Sequence, residues 1–314
     1  MNTLSRPLLR ILVAVLFVLA TAPDLHAAKQ IGVIMSGDVP YYGAMHETFV
    51  AELNKKFGKT EKIEIILQKP FPDPISWSNA ARKLIAFEVD LIVSYGSPAT
   101  QAVIYEKSSI PLVYAGLYEP DQAAGLITGK NVTGCGFKVP LSSIIRYFKQ
   151  LKPINTLGVV FCSAEEDSVR QYKTISALAE QQNITIKKID IRSRADLDKL
   201  KTDHMDAVFI TGGSLAHLWL NDILAILKRR QIPAADIFPD NSASGVLMTL
   251  HPPSTSPGQM AAEMAAQILR GEKPGNISAH VFRDTELVVN LVEARNLGLT
   301  FPVQLLVEAT KVIK

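Results

Sequence analysis

Cysteine is scarce: two residues in 314, Cys135 and Cys162, neither in a CxxC pair. That removes thiolate metal clusters and dithiol redox chemistry from consideration, and two buried free thiols are expected rather than a disulfide. Histidine is thin as well. The six stand far apart, with no HExxH and no i,i+4 pair, so no metal site is expected. There is no GxSxG elbow and no Walker lysine motif, and Gly134-Cys135-Gly136 lacks the third glycine of a dinucleotide loop. No nucleophile–base pair stands out, and neither catalysis nor a cofactor is expected. Charge of one sign is also missing. Thirty-three basic against thirty acidic residues leave +3, too little to argue for nucleic acid as a partner. Beyond the N-terminus no apolar run is long enough to span a bilayer.

What is present begins with an export signal. Arg6 and Arg10 precede the apolar run from Ile11 to Ala20, and Leu25-His26-Ala27-Ala28 supplies a small-residue cleavage region. Residues 1–28 are therefore expected to be a cleaved signal peptide, leaving a periplasmic protein that does not itself span a membrane. The rest is long enough for two domains of roughly 140 residues each.

Two stretches repeat one design. Leu91-Ile92-Val93-Ser94-Tyr95-Gly96-Ser97-Pro98-Ala99-Thr100 and Ala207-Val208-Phe209-Ile210-Thr211-Gly212-Gly213-Ser214 each read as a buried strand, a small-residue turn and a helix start. A helix start offers unpaired N–H groups and the positive end of its dipole, which suits a carboxylate or phosphate. Two such ends in two halves of one chain suggest a ligand held between lobes.

The pattern from Lys29 onward alternates strand and helix, hence an α/β fold with parallel sheets. Strands are expected at Ile31–Met35, Ile63–Leu67, Leu91–Tyr95 and Leu112–Ala115, then at Leu157–Phe161, Ile184–Ile191, Ala207–Ile210, Val246–Leu250 and Glu286–Asn290. Helices are expected near Tyr41–Phe57, Ile75–Glu88, Pro98–Lys107, Leu141–Leu151, Asp167–Gln182, Leu215–Arg230 and Pro257–Leu269. A short amphipathic tail, Val303–Ile313, follows. Crossings between lobes are placed near Val132–Phe137, Leu250–Pro253 and Ser278–Arg283, because Gly and Pro punctuate regular structure. The first lobe is expected to hold residues 29–134 and 253–280, and the second 135–252 and 281–314.

Ligands of open α/β sheets bind beyond the carboxyl ends of the strands. The loops leaving those ends carry Ser36, Ser97, Tyr118-Glu119, Ser163-Ala164-Glu165, Ser214 and Asp240. Helix capping accounts equally well for any one Ser or Asp among them; the expectation rests on their convergence. Ser97 and Thr100 suit a ligand carboxylate, with Pro98 in the first turn where its missing N–H is harmless. Glu119, and secondarily Asp240, suit an ammonium group. Tyr41, Tyr42 and Tyr118 could stack on a ring.

Several phrases resemble a known family. Gly96-Ser97-Pro98-Ala99-Thr100-Gln101-Ala102, Ile110-Pro111-Leu112-Val113-Tyr114-Ala115, Lys130-Asn131-Val132-Thr133-Gly134 and Met264 to Pro274, ending Arg270-Gly271-Glu272-Lys273-Pro274, are similar to the ABC-transporter substrate-binding family with the type 1 periplasmic-binding fold. The resemblance covers the mature chain. It implies two Rossmann-like lobes joined by a multi-strand hinge, which close as a monomer around a small solute, an amino acid or related carboxylate. It also implies delivery of that solute to an ABC permease with its ATPase; a membrane sensor kinase is the alternative partner. On this pattern Ser97 with Thr100 meets the carboxylate, Glu119 the amino group, and Ser163, Ser168, Ser214 and Asp240 fall in the second-lobe cleft loops. Thr211-Gly212-Gly213-Ser214 departs from the acidic-and-Asn character usual in that family, so the resemblance leaves the ligand unnamed.

Overall fold

The computed structural model describes residues 28–58, 62–121, 129–239 and 245–314. Residues 1–27 of the expected export segment, and Asp240, lie outside the described residues. The first half builds β1 Lys29–Met35, α1 Pro40–Phe57, β2 Ile63–Gln68, α2 Pro74–Ala86, β3 Leu91–Tyr95, α3 Ser97–Tyr105, β4 Leu112–Tyr118 and β5 Val132–Phe137. Then come α4 Leu141–Leu151, β6 Thr156–Phe161, α5 Glu166–Glu180, β7 Thr185–Asp190, the short α6 Lys199–Thr202, β8 Ala207–Ile210, α7 Ser214–Leu218, α8 Leu220–Arg229, β9 Ala234–Asp236 and β10 Met248–His251. The chain ends with α9 Thr255–Leu269, β11 His280–Phe282, β12 Glu286–Asn290, α10 Leu291–Asn296, α11 Val303–Glu308 and β13 Lys311–Ile313.

Two sheets result. One runs β11-β5-β4-β3-β1-β2, with every pairing parallel. The other runs β13-β12-β10-β9-β8-β6-β7, where only the β10–β12 pairing is antiparallel. β3 and β4 are buried along their whole length, as an apolar strand covered on both faces must be. α1 shows why its sequence is helical. Met45, Phe49, Leu53 and Phe57 recur every fourth residue and are all buried, Pro40 opens the first turn, and Gly58 (φ 58°) stops it behind Lys55 and Lys56. α9 crosses α1 so closely that a Cβ on Gly258 would lie 2.5 Å from Met45 O.

The structure differs from the sequence reading in four places. Val132–Phe137 is a strand, not a linker, and His280–Phe282 pairs with it as β11. Its glycines mark close approach: a Cβ on Gly136 would sit 2.4 Å from Leu117 O, at the bulge between Ala115 and Leu117. The chain therefore leaves the first sheet after Phe137, re-enters it after His251 and leaves it again after Phe282. The helix expected at Leu215–Arg230 breaks at Trp219 (φ −110°, ψ 21°) into α7 and α8. β9 has three buried residues, too few to register as a pattern. The C-terminal tail divides into α11 and β13, because Lys311–Ile313 finds a pairing partner in β12. Among the described residues no helix is long and apolar enough to cross a membrane.

Candidate functional site

The Gly96-Ser97-Pro98 turn is held by its own hydroxyls. Gly96 takes φ 83° and ψ 160°, a conformation open to glycine, and caps α3. Ser36 Oγ donates to Tyr95 O at 2.8 Å and accepts from Ala99 N at 3.1 Å, tying β1 to α3. Thr100 Oγ1 donates back to Gly96 O at 2.8 Å and lies 2.7 Å from Ser94 Oγ. Ser36 and Thr100 thus shape the turn, and both are fully buried.

A carboxylate of the protein stands near the α3 start. Asp167, in the first turn of α5, accepts from the backbone N–H of Tyr118 at 3.2 Å, and the Ser97 N–H lies close enough to favour its charged form. Arg170, one turn on, pairs with Asp167 and donates to Tyr118 O at 2.8 Å. The second copy of the motif behaves alike. Ser214 N and Leu215 N donate to Glu165 at 2.7 and 2.8 Å. Ser168 Oγ accepts from Cys162 N at 2.9 Å and lies 2.6 Å from Thr211 Oγ1. Ser214 Oγ is buried without a hydrogen-bond partner among the described residues.

Aromatic rings meet where the sheets face each other. Tyr41 stacks on Phe238 with centroids 4.8 Å apart and planes at 19°, while Tyr42 meets the same ring edge-on at 5.7 Å. His217 lies against Phe238 at 4.7 Å. Gly37 abuts the opposite lobe, since a Cβ there would lie 2.7 Å from Ser214 Cβ. The lobes are in contact across the cleft.

Two expected residues sit apart from this group. Ser163 is exposed, its N–H donating to Asp190 at 2.9 Å, because it heads the loop before Glu165 rather than the cleft wall. Glu119 is buried at φ 45°, but Lys138 beyond β5 already provides its cation at 2.7 Å. Tyr118 is buried against Phe137, and the Asp167–Arg170 pair holds its backbone. The sequence reading did not single out Asp167, Arg170, His217, Asp236 or Phe238. An i,i+3 Asp–Arg pair on a helix is common, so sequence carried no signal beyond the first-turn carboxylate.

Electrostatics follow from burial. Loss of solvation pushes the Glu165 carboxyl up to about 7 and that of Asp167 up to about 6, although N–H donors oppose both shifts. Burial pulls His217 down, but Asp236 and the Gly213 carbonyl outweigh it, so its pKa is raised. The geometry agrees: Nδ1 faces Gly213 O at 2.6 Å and Nε2 faces the Asp236 carboxylate at 3.0 Å, and two acceptors require both ring nitrogens to carry protons. Both cysteines are free and buried, and burial lifts each thiol to about 12, which leaves no nucleophilic thiolate.

A pH dependence follows. Glu165 and Asp167 keep protons in the folded state that the unfolded chain has lost, so their contributions fall as pH rises from the ordinary carboxylate range toward 6–7. The stabilisation from protonated His217 is present below its ordinary pKa and is lost as pH climbs through its raised folded value. All three act in one direction. Melting scans should show Tm declining from about pH 5 to about pH 8, with a slope on the order of 1 kcal/mol per pH unit for each titrating group. Glu165→Gln should flatten the acidic part, and a Tm rising over that span would contradict the assignment.

Comparison with known proteins agrees with this architecture. The ABC transporter substrate binding protein family matches residues 51–313. The tyrosine-binding protein of Clostridioides difficile (strain R20291) is 22% identical over 277 residues, covering 85% of this chain and 80% of that protein. The ABC domain in complex with L-Trp from Streptococcus pneumonia superposes with TM-score 0.85 at 23% identity, covering 91% of this chain and 100% of that one. The ligand-free, open structure of a substrate-binding protein with adhesive properties from Clostridium difficile covers the same shares at 22% identity but with TM-score 0.63. These likenesses establish the type 1 periplasmic-binding fold expected from the sequence. With the family pattern covering most of its length, this chain belongs to the ABC transporter substrate-binding protein family.

Proposed function

We propose that this protein is the exported receptor of an ABC importer and closes its two lobes around an aromatic amino acid. The observation that carries the reading is the meeting of Tyr41 and Tyr42 with Phe238 across the cleft. Rings contributed by both lobes, here packed on one another, present apolar faces to an aromatic side chain once they part, with Ser97 and Ser214 supplying polar contacts at its rim. The tyrosine and tryptophan relatives support the same class of solute. The three passages between sheets, after Phe137, His251 and Phe282, form the hinge. The signal at residues 1–28 takes the protein to the periplasm, where a permease with its ATPase receives the solute from the closed form.

A thermal-shift panel of amino acids and sugars tests this reading. A ligand at 100 times its Kd adds about 2.7 kcal/mol, or roughly 5–10 °C for lobes of this size. L-Tyr or L-Trp should give that shift and Leu or Glu a smaller one. A panel in which sugars shift the protein and no amino acid does would overturn the assignment.

A further inference from the structure

We propose that His217 and Asp236 are positioning residues that set the solute preference of the second lobe by fixing the Phe238 ring. The imidazole stands on α7 and bridges the loop after β8 to the end of β9: Nδ1 faces Gly213 O at 2.6 Å, and Nε2 faces Asp236 Oδ2 at 3.0 Å. Asp236 passes this hold along the chain, because its Oδ1 accepts from the backbone N–H groups of Ile237 and Phe238 at 2.6 and 3.0 Å. The His217 ring also packs on the Phe238 ring, with centroids 4.7 Å apart. Neither supporting side chain is open to a solute, that of His217 being 3% exposed and that of Asp236 0%. Charge-assisted hydrogen bonds kept from water hold such a geometry firmly.

The turn after β8 completes the seat. A Cβ on Gly212 would lie 3.0 Å from the Phe238 ring, so a side chain at that position would press on it. The glycine in Thr211-Gly212-Gly213-Ser214 thus leaves the space that the ring uses. Every contact of the seat lies within the second lobe, so none of it depends on how the two lobes stand to each other. A ring held in one plane offers a stacking face to a flat solute and less to a branched aliphatic one. Fixing it in advance also removes an ordering cost from binding. The inference rests on the aromatic-solute reading for what the ring meets, and goes beyond it by naming the groups that make the ring selective.

The test compares two amide substitutions of similar size. In His217→Gln the side-chain nitrogen falls near the imidazole Nε2 and donates to Asp236; in His217→Asn it falls near Nδ1 and serves Gly213 O alone. The first readout needs no solute. It is fluorine NMR of protein carrying 4-fluorophenylalanine, unfolded and refolded to free it of solute, with the Phe238 resonance identified by Phe238→Leu. One sharp Phe238 resonance is expected in the native protein and in His217→Gln, and a shifted or broadened one in His217→Asn. The second readout is titration calorimetry with L-Trp and L-Leu. His217→Asn should weaken L-Trp about tenfold and L-Leu by less than about threefold, with His217→Gln restoring most of the difference. Gly212→Ala leaves His217 and Asp236 intact, presses on the ring directly and should shift the same resonance, whether or not His217→Asn folds. A native protein that takes no aromatic amino acid would sink the solute reading and leave the ring measurement to decide this one. A Phe238 resonance unmoved in His217→Asn and Gly212→Ala, or equal losses for L-Trp and L-Leu, would overturn the proposal.

Discussion

Gly96→Ala is expected to lower stability by about 4 kcal/mol and to abolish solute binding. Two costs combine. At φ 83° and ψ 160° any side chain is strained, by about 1–3 kcal/mol. The added Cβ would also lie 2.4 Å from Tyr42 Oη and 2.6 Å from Ser36 Oγ, and overpacking of that kind adds about 1–3 kcal/mol. Tm should fall by about 10 °C. Gly298→Ala separates the two contributions, since Gly298 has φ 65° but nothing within 4 Å of its would-be Cβ; it should cost only about 1 kcal/mol. Equal losses in the two variants would show that contact with Ser36 and Tyr42 is not what makes position 96 special.

His217→Ala should cost about 3 kcal/mol or more. Asp236 has no exposed surface, and breaking a buried ion pair from one side strands the other charge. Ile237 N and Phe238 N still donate to Asp236 Oδ1, at 2.6 and 3.0 Å, so the loss is large without being total. A readout beyond stability comes from pH: the variant should lose the alkaline part of the Tm decline that the native protein shows. His217 also packs on Phe238, so solute affinity should weaken with it. A variant with native stability at pH 7 would mean that the imidazole is not the ion drawn here.

Much of the fold was legible because the relevant physics is local. β3, β8, β12 and α4 fall on their expected residues, since continuous apolar runs and a fourfold stripe report burial directly. Reading failed where glycine had two meanings. In Val132–Phe137 it marks backbones packed too tightly for a side chain, not a flexible linker. The pairings around the expected residues were not legible. Ser36, Ser97, Thr100, Tyr41, Tyr42 and Ser214 gather around the cleft, but Glu165 takes the N–H groups that open α7, and Asp167 stands near the start of α3 on the Tyr118 N–H. Asp167 is seventy residues from Ser97 in the chain, and only the facing of two lobes brings it there. No local pattern encodes such a contact.

The most direct test is isothermal titration of solute-freed protein with L-Trp, L-Tyr, L-Leu and glucose, repeated for Phe238→Ala. Binding of an aromatic amino acid at one site per chain, at least tenfold tighter than L-Leu and weakened at least tenfold by Phe238→Ala, is the predicted result. Aromatic binding unaffected by Phe238→Ala, or a preference for glucose or L-Leu, would contradict a receptor built around the rings that meet between its lobes.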